Sequence, residues 1–369
     1  MKKIDTPLTV EGKGHKNRKS SRGKMFGYQV LGFGAGGSAF KPLVATGGTV
    51  TTCGAYKIHV FTSPGTFCVS CAGVNAQVDY IVQAGGGGGG RTGGAGAGGL
   101  RFTSVNYTAP SCTSPRSGTE ITLCAQAYPI TIGGGGTGIP ANPPVPVPSG
   151  NKPTKGSDSV FSTITSAGGG AANNPQSGST GTNTNGGSGG GGVNANNFSP
   201  ATSTDGLGNV PPVSPPQGFN SHGNPGIPST PEGLTSAVDG GGAGGNTANL
   251  SGDSAPRTGS AGLGFPTDIM KSCAGVSSPS PSVRFIGGGG GGGSHLNPST
   301  FTTGQHGGGN GGGATPGPGG AGNPGSPGTT NTGGGGGGGG AGTGRSTQPP
   351  QGGGGGGGSG IVIIRYKAS

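Results

Sequence analysis

Uninterrupted glycine blocks in this chain abut β-rich segments, with no turn residue between them. Val78-Asp79-Tyr80-Ile81-Val82-Gln83-Ala84 runs straight into Gly85–Gly90. Tyr128-Pro129-Ile130-Thr131-Ile132 leads into Gly133–Gly136, Ser159–Ala167 into Gly168–Gly170, and Ser282–Ile286 into Gly287–Gly293. The C-terminal end is the mirror image: Gly352–Gly358 passes through Ser359 and Gly360 into Ile361-Val362-Ile363-Ile364-Arg365-Tyr366-Lys367. Of 369 residues, 97 are Gly and 32 are Pro, which excludes a helical protein. Each Gly costs a helix about 1 kcal/mol and each Pro about 3 kcal/mol. Collagen needs Gly at every third position, and blocks such as Gly333–Gly340 have no such period. Hydrophobic residues make up only 27%, too few for the large core of an ordinary enzyme of this length.

The chain divides into an arm (1–24), a docking or linker segment (25–55) and a glycine-rich β domain (56–369). Within the last, strands in 56–84 and 361–367 form a small core, and 85–360 is an excursion that leaves and returns through glycine blocks. Tyr56–Phe61 and Thr66–Ser70 read as a hairpin around Ser63-Pro64-Gly65. Val78–Ala84 and Ile361–Tyr366 carry continuous apolar stretches, as strands buried on both faces do. They are expected to be near neighbours, with Val82 close to Val362. The glycine blocks admit three readings: disorder, long loops, or a bundle of polyproline-II-like rods hydrogen-bonded to one another. Segregation favours the bundle. Disordered linkers mix Gly with Ser, Glu, Lys and Gln, whereas here pure Gly blocks alternate with clusters such as Pro211-Pro212-Val213-Ser214-Pro215-Pro216. The expected fold class is all-β: a small sandwich-like base with a glycine-rich excursion packed as polyglycine-II strands, and essentially no helix.

The formal net charge is +11, and its basic residues crowd the start of the chain. Lys2, Lys3, Lys16, Arg18, Lys19, Arg22 and Lys24 form an arm that suits an acidic surface. No aromatic residue interleaves with it before Phe26, so stacking on nucleic-acid bases has little support, and no nucleic-acid partner is expected. Phe26, Tyr28, Leu31 and Phe33 form an apolar patch behind the arm. Neither a secretory signal nor a membrane-spanning run is visible. Of the six Cys, Cys68 and Cys71 form C-x2-C without the second pair of a zinc ribbon. Disulfides, free thiols and metal ligation all stay open for them. The five His form no metal-binding pair, the acids form no close carboxylate pair, and glycine-rich phosphate-loop look-alikes lack the required Lys and helix. No enzyme activity, cofactor or metal is expected. What remains is contact chemistry, with Phe198, Phe219, His222, Phe265 and Phe301 as candidate contacts at the tip of the excursion. The alternative for each Phe is a plug between rods.

The strand–glycine junctions at Tyr80–Gly85, Tyr128–Gly133 and Phe161–Gly168, together with the closing Gly360-Ile361-Val362-Ile363-Ile364-Arg365-Tyr366, resemble the glycine-rich domain of bacteriophage structural proteins. The style is similar to that of tail-fibre tip adhesins built on polyglycine-II sandwiches. The resemblance covers about residues 56–369. It implies a structural protein of the virion surface, a tail fibre or appendage that attaches to a host cell by contacting a surface glycan or protein. The arm and apolar patch would then dock on other virion proteins, and the chain would self-associate, a trimer being favoured. The alternative is a capsid decoration or filament-forming protein with no receptor role. The six Cys and the basic arm have no counterpart in that pattern.

Overall fold

The computed structural model describes residues 41–73, 76–103, 121–142, 151–173, 183–192, 206–221, 261–267, 269, 284–293, 301–315, 322–340 and 352–368. The basic arm and the apolar patch lie outside them. Residues 43–369 form one compact unit. It is all-β, and no α-helix occurs among the described residues. No helix there is long and apolar enough to cross a membrane.

Two antiparallel sheets make the base. One has the order β2 (Thr49–Cys53), β3 (Tyr56–Phe61), β13 (Ile361–Lys367), β5 (Gln77–Gln83), β6 (Leu100–Thr103), with β7 (Ile121–Thr122) also paired to β5. The other runs β1 (Val44–Thr46), β4 (Gly65–Cys71), β8 (Ala127–Thr131), β9 (Ser159–Phe161), β10 (Ile164–Ser166). A ribbon of β11 (Phe265–Thr267) and β12 (Arg284–Ile286) completes the strands. Strands β1 and β2 thus fall within the segment read as a linker.

The strand that opens the excursion and the strand that closes it are hydrogen-bonded neighbours. In the β13–β5 ladder Val362 stands opposite Val82 and Ile364 opposite Tyr80. Both strands are buried on both faces, which explains their lack of polar alternation. Phe61, Phe67, Tyr80, Val82, Phe161, Val362 and Ile364 pack between the two sheets. Ile58, Ile81, Phe102, Ile361 and Ile363 pack on the opposite face with Phe265, Ile269 and Ile286. Across the same ladder Arg365 Nε donates to the Asp79 carboxylate at 3.0 Å. This ion pair is buried, and the guanidinium also lies 5.0 Å from the centroid of the Tyr56 ring.

The hairpin reading of 56–70 does not hold. β3 and β4 belong to different sheets, so Ser63-Pro64-Gly65 carries the chain across the sandwich. The reason is that both strands have an apolar face, and burying the two against each other is more favourable than leaving them side by side. Phe61 and Phe67 meet edge to face with ring centroids 6.5 Å apart.

Beyond the strands the glycine blocks form rods that hydrogen-bond to one another. The rod Gly85–Gly90 is interior. Its N–H groups donate in turn to three returning segments: Gly85 and Gly88 to Ser157 and Thr154, Gly86 and Gly89 to Gly358 and Gly355, Gly87 and Gly90 to Gly96 and Gly93. Its carbonyls accept from three outgoing segments: Gly85 and Gly88 from Gly169 and Ala172, Gly86 and Gly89 from Gly136 and Ile139, Gly87 and Gly90 from Gly336 and Gly339. The repeat of three along the chain is that of a polyproline-II-type helix, with three residues per turn. Residues one position apart therefore address different neighbours, and the rod is bonded all around rather than in one plane.

Where sheet becomes rod, the two hydrogen-bonding patterns mismatch, and polar side chains, all buried except the exposed Asp158, take up the leftover backbone groups. Ser159 Oγ donates to the Gln83 carbonyl at 2.8 Å and accepts from Gly133 N–H at 2.9 Å. Ser166 Oγ donates to the Val82 carbonyl at 2.6 Å, and Gln83 Nε2 to the Gly98 carbonyl at 2.8 Å. The Asp158 carboxylate accepts from Gly168 N–H, and Gln217 Oε1 from Ala167 N–H. Buried backbone groups left unpaired would cost about 1–3 kcal/mol each.

Two His are held neutral. His59 is fully buried between the sheets, and its Nδ1 donates to the Gly47 carbonyl at 2.7 Å. Nε2 is then the acceptor for the Tyr366 hydroxyl at 3.3 Å. Burial pulls the His59 pKa below its ordinary 6.5. His306 is also pulled down by burial, and its Nδ1 accepts from Gly264 N–H.

Two predictions follow from this packing. A Cβ at Gly88 would overlap the Thr137 carbonyl, whereas one at Gly134 meets nothing within 4 Å. Gly88→Ala should therefore lower stability by about 3 kcal/mol or more, and Gly134→Ala by less than about 0.5 kcal/mol, read from urea midpoints. For the two His, the unfolded chain takes up protons as pH falls through 6.5 while the folded chain resists. Stability should hold above that pH and fall below it. His306→Asn, which keeps an acceptor for Gly264, should flatten the decline in melting temperature between about pH 7 and about pH 5.

Candidate recognition surface

The rods have a common polarity with respect to the sheets. The rods that follow β5, β8, β10 and β12 leave the sheets in one direction, and the segments 187–192, 308–314 and 333–340 run parallel to them. Other segments run the opposite way, toward the sheets, as in Gly93–Gly99, Thr154–Ser157 and Gly352–Gly360. The described rods are thus held side by side by backbone hydrogen bonds as far from the sheets as Arg91 and Thr92.

The interior rod ends in the turn Arg91-Thr92. It is closed by Gly90 N–H donating to the Gly93 carbonyl at 2.9 Å. The Thr92 carbonyl accepts from Gly293 N–H and the Gly90 carbonyl from Gly339 N–H, so the turn is pinned on further sides. Ile139 and Asn173 are buried near it. Asn173 N–H donates to the Gly191 carbonyl at 2.9 Å. Phe301 stands at the same end and is 38% exposed. Its neighbour Thr302 donates to the Gly292 carbonyl.

Among the described residues the acids are Asp79 and Asp158, and both are at the base, one paired with Arg365 and the other bonded to Gly168. Arg91 and Lys152 lie toward the far end, and Lys57, Arg101, Arg365 and Lys367 lie on the sheet strands.

The candidate contacts separate accordingly. Phe301 is exposed at the far end. Phe219 is half-buried on a flank, where its carbonyl accepts from Gly189 N–H. Phe265 is 1% exposed and packs on Phe102 with ring centroids 4.4 Å apart. It is a core residue of the base rather than a tip contact, because β11 covers the outer face of the β13 sheet. Phe198 and His222 lie outside the described residues. Cys53 is disulfide-bonded, Cys68 and Cys124 are exposed thiols, and Cys71 is a half-buried thiol. No group of His, Cys, Asp and Glu suited to a metal ion occurs among the described residues. Sequence reasoning missed Arg91 and Thr92. Their signal was position: they interrupt the first long glycine run, and Arg91 is the one charged residue between Gly85 and Gly99.

The architecture defines a class: an all-β base that continues into a stalk of backbone-packed glycine rods. A family model of a glycine-rich domain matches residues 62–367, and the chain belongs to that family. No curated protein matches the chain, and no solved structure does.

The aromatic assignments make a prediction. Phe265→Ala should cost about 3–5 kcal/mol of stability, whereas Phe301→Ala should change it by less than about 0.5 kcal/mol. Thermal unfolding of the two variants distinguishes a core ring from a displayed one.

Proposed function

We propose that this chain is a structural protein of a virion surface, a tail-fibre or appendage component that attaches the particle to a host cell. The observation that supports the reading is the common polarity of the rods. On this reading the segments that join the rods are the recognition elements, and the parallel rods are their stiff support. Those segments are rich in Pro, Asn, Ser and Thr, as in Asn194–Ser199 with Phe198. Adaptable polar groups with occasional aromatic anchors are the composition of recognition loops. A stiff support lowers the entropy lost on binding. The resemblance to glycine-rich phage proteins supports the same reading. On it, Lys2–Lys24 and Phe26–Phe33 dock on other virion proteins, and the far end meets a host glycan or protein.

A second reading is a capsid decoration or filament protein without a receptor. It is favoured by the burial of Phe265 and the partial burial of Phe219, which leave fewer displayed rings than the sequence suggests.

Purified full-length protein incubated with candidate host cells distinguishes the two. Attachment predicts binding to cells and competition with virus adsorption. A variant lacking residues 2–24 should still bind cells but lose association with the particle. Absence of both cell binding and competition would remove the receptor role and leave the structural one.

A further inference from the structure

Arg91 is 9% exposed, and the turn that carries it ends the interior rod. Its Nε is buried without a hydrogen-bond partner, and Arg365–Asp79 is the ion pair seen among the described residues. The adjacent Thr92 is 4% exposed, and its hydroxyl is also buried without a partner. Two adjacent residues of one turn therefore each hold a buried donor without a partner. Gln83 Oε1, Arg101 Nε, Ser188 Oγ and Thr315 Oγ1 are also buried atoms that make no hydrogen bond, but each stands alone in sequence, whereas Arg91 and Thr92 are adjacent in one turn.

A buried cation without a counter-charge has few ways out. Lysine or histidine can shed the proton when buried, but a guanidinium cannot at neutral pH. Burial pulls Arg91 down only to about 10, so it stays charged. The described acids are at the other end of the molecule, engaged with Arg365 and Gly168. The neighbouring rod amides at this level, Gly90, Gly293 and Gly339, already donate to carbonyls. The missing element is an acceptor with negative charge. A guanidinium presents a planar fork of N–H donors that fits an oxyanion through paired hydrogen bonds, and the Thr92 hydroxyl supplies a further donor.

We propose that the Arg91-Thr92 turn is a binding site for a tetrahedral or carboxylate oxyanion, seated where the interior rod ends. Arg91 supplies charge and a forked pair of donors, and Thr92 orients the anion by its hydroxyl. The oxyanion chemistry is shared by a free sulfate or phosphate and by the acidic groups of a sulfated or carboxylated polysaccharide. The site does not depend on the attachment reading, since a resident inorganic ion would fill it equally well.

The test uses the full chain. Inorganic sulfate and phosphate, a sulfated polysaccharide and polygalacturonate are each titrated against chloride at matched ionic strength. The readouts are melting temperature and the guanidinium Nε resonance of Arg91, assigned by its loss in Arg91→Lys. A ligand that binds the folded state raises the melting temperature in a saturable way. The expected result is such a rise together with a shift of the Nε resonance. Both should be absent in Arg91→Gln. Arg91→Lys, which keeps charge without the fork, should bind about tenfold more weakly. Thr92→Val should weaken binding with the fold intact. A response to inorganic sulfate or phosphate alone identifies a resident ion, and a response to a polysaccharide identifies a polymer-borne group. The proposal is overturned if wild type gives no saturable response, or if Arg91→Lys and Thr92→Val respond as wild type does. Should Arg91→Gln fail to fold, the wild-type resonance and the other two variants still decide.

Discussion

Rod-to-rod hydrogen bonds depend on the absence of Cβ. Two polyproline-II-type helices can approach closely enough for N–H···O=C bonding at 2.9 Å, as between Gly87 and Gly96, only when no side chain stands between the backbones. At nearly every interior position an added Cβ would overlap a neighbouring carbonyl. The exceptions are small: Ala95, Ala97, Ala171 and Ala172 are buried where the spaces between rods admit a methyl group. This one constraint sets the composition. It also replaces the usual source of stability. An ordinary domain excludes water with apolar side chains, whereas this stalk does so with backbone against backbone.

Such a bundle has a cost that the base must offset. Glycine loses more backbone entropy on ordering than any other residue, and the rods have no internal hydrogen bonds to hold their shape. The sheets supply fixed starting points. Gly85 follows β5, Gly133 follows β8, Gly168 follows β10, and Gly287 follows β12. Each rod therefore begins in a set position and direction. The ion pair of Arg365 with Asp79 and the ring contacts around Phe67 and Phe161 belong to this anchoring core. Because β13 lies between β3 and β5, the chain's last strand joins the root of the first rod to the rest of the sheet.

The far end inherits rigidity from the rods rather than from any local structure. The Arg91-Thr92 turn has no helix or sheet beside it, yet its backbone is tied to Gly293 and Gly339. A short polar turn on a free loop would be solvated. Fixed at the end of an interior rod, the same two residues are buried.

The sequence alone determined a good deal. Pure glycine blocks flush against β segments favoured rods rooted in sheets over loops or disorder, because the Gly is segregated from the Pro/Asn/Ser/Thr clusters rather than mixed with them. The uninterrupted apolar runs of β5 and β13 implied strands buried on both faces, and their positions on either side of the excursion implied that they are neighbours. The tertiary structure decided the rest. It placed β3 and β4 in different sheets, because a turn such as Ser63-Pro64-Gly65 fits a hairpin and a crossing equally well, and only the facing apolar surfaces choose. It put Phe265 in the core and Phe301 in solvent, although both sit in similar Pro/Ser/Thr/Gly surroundings, because burial depends on which rod or strand lies opposite. It also buried Arg91. Which neighbours surround a given rod is fixed by contacts between segments as distant as Gly87 and Gly336, and glycine repeats carry no side-chain pattern from which that pairing can be read.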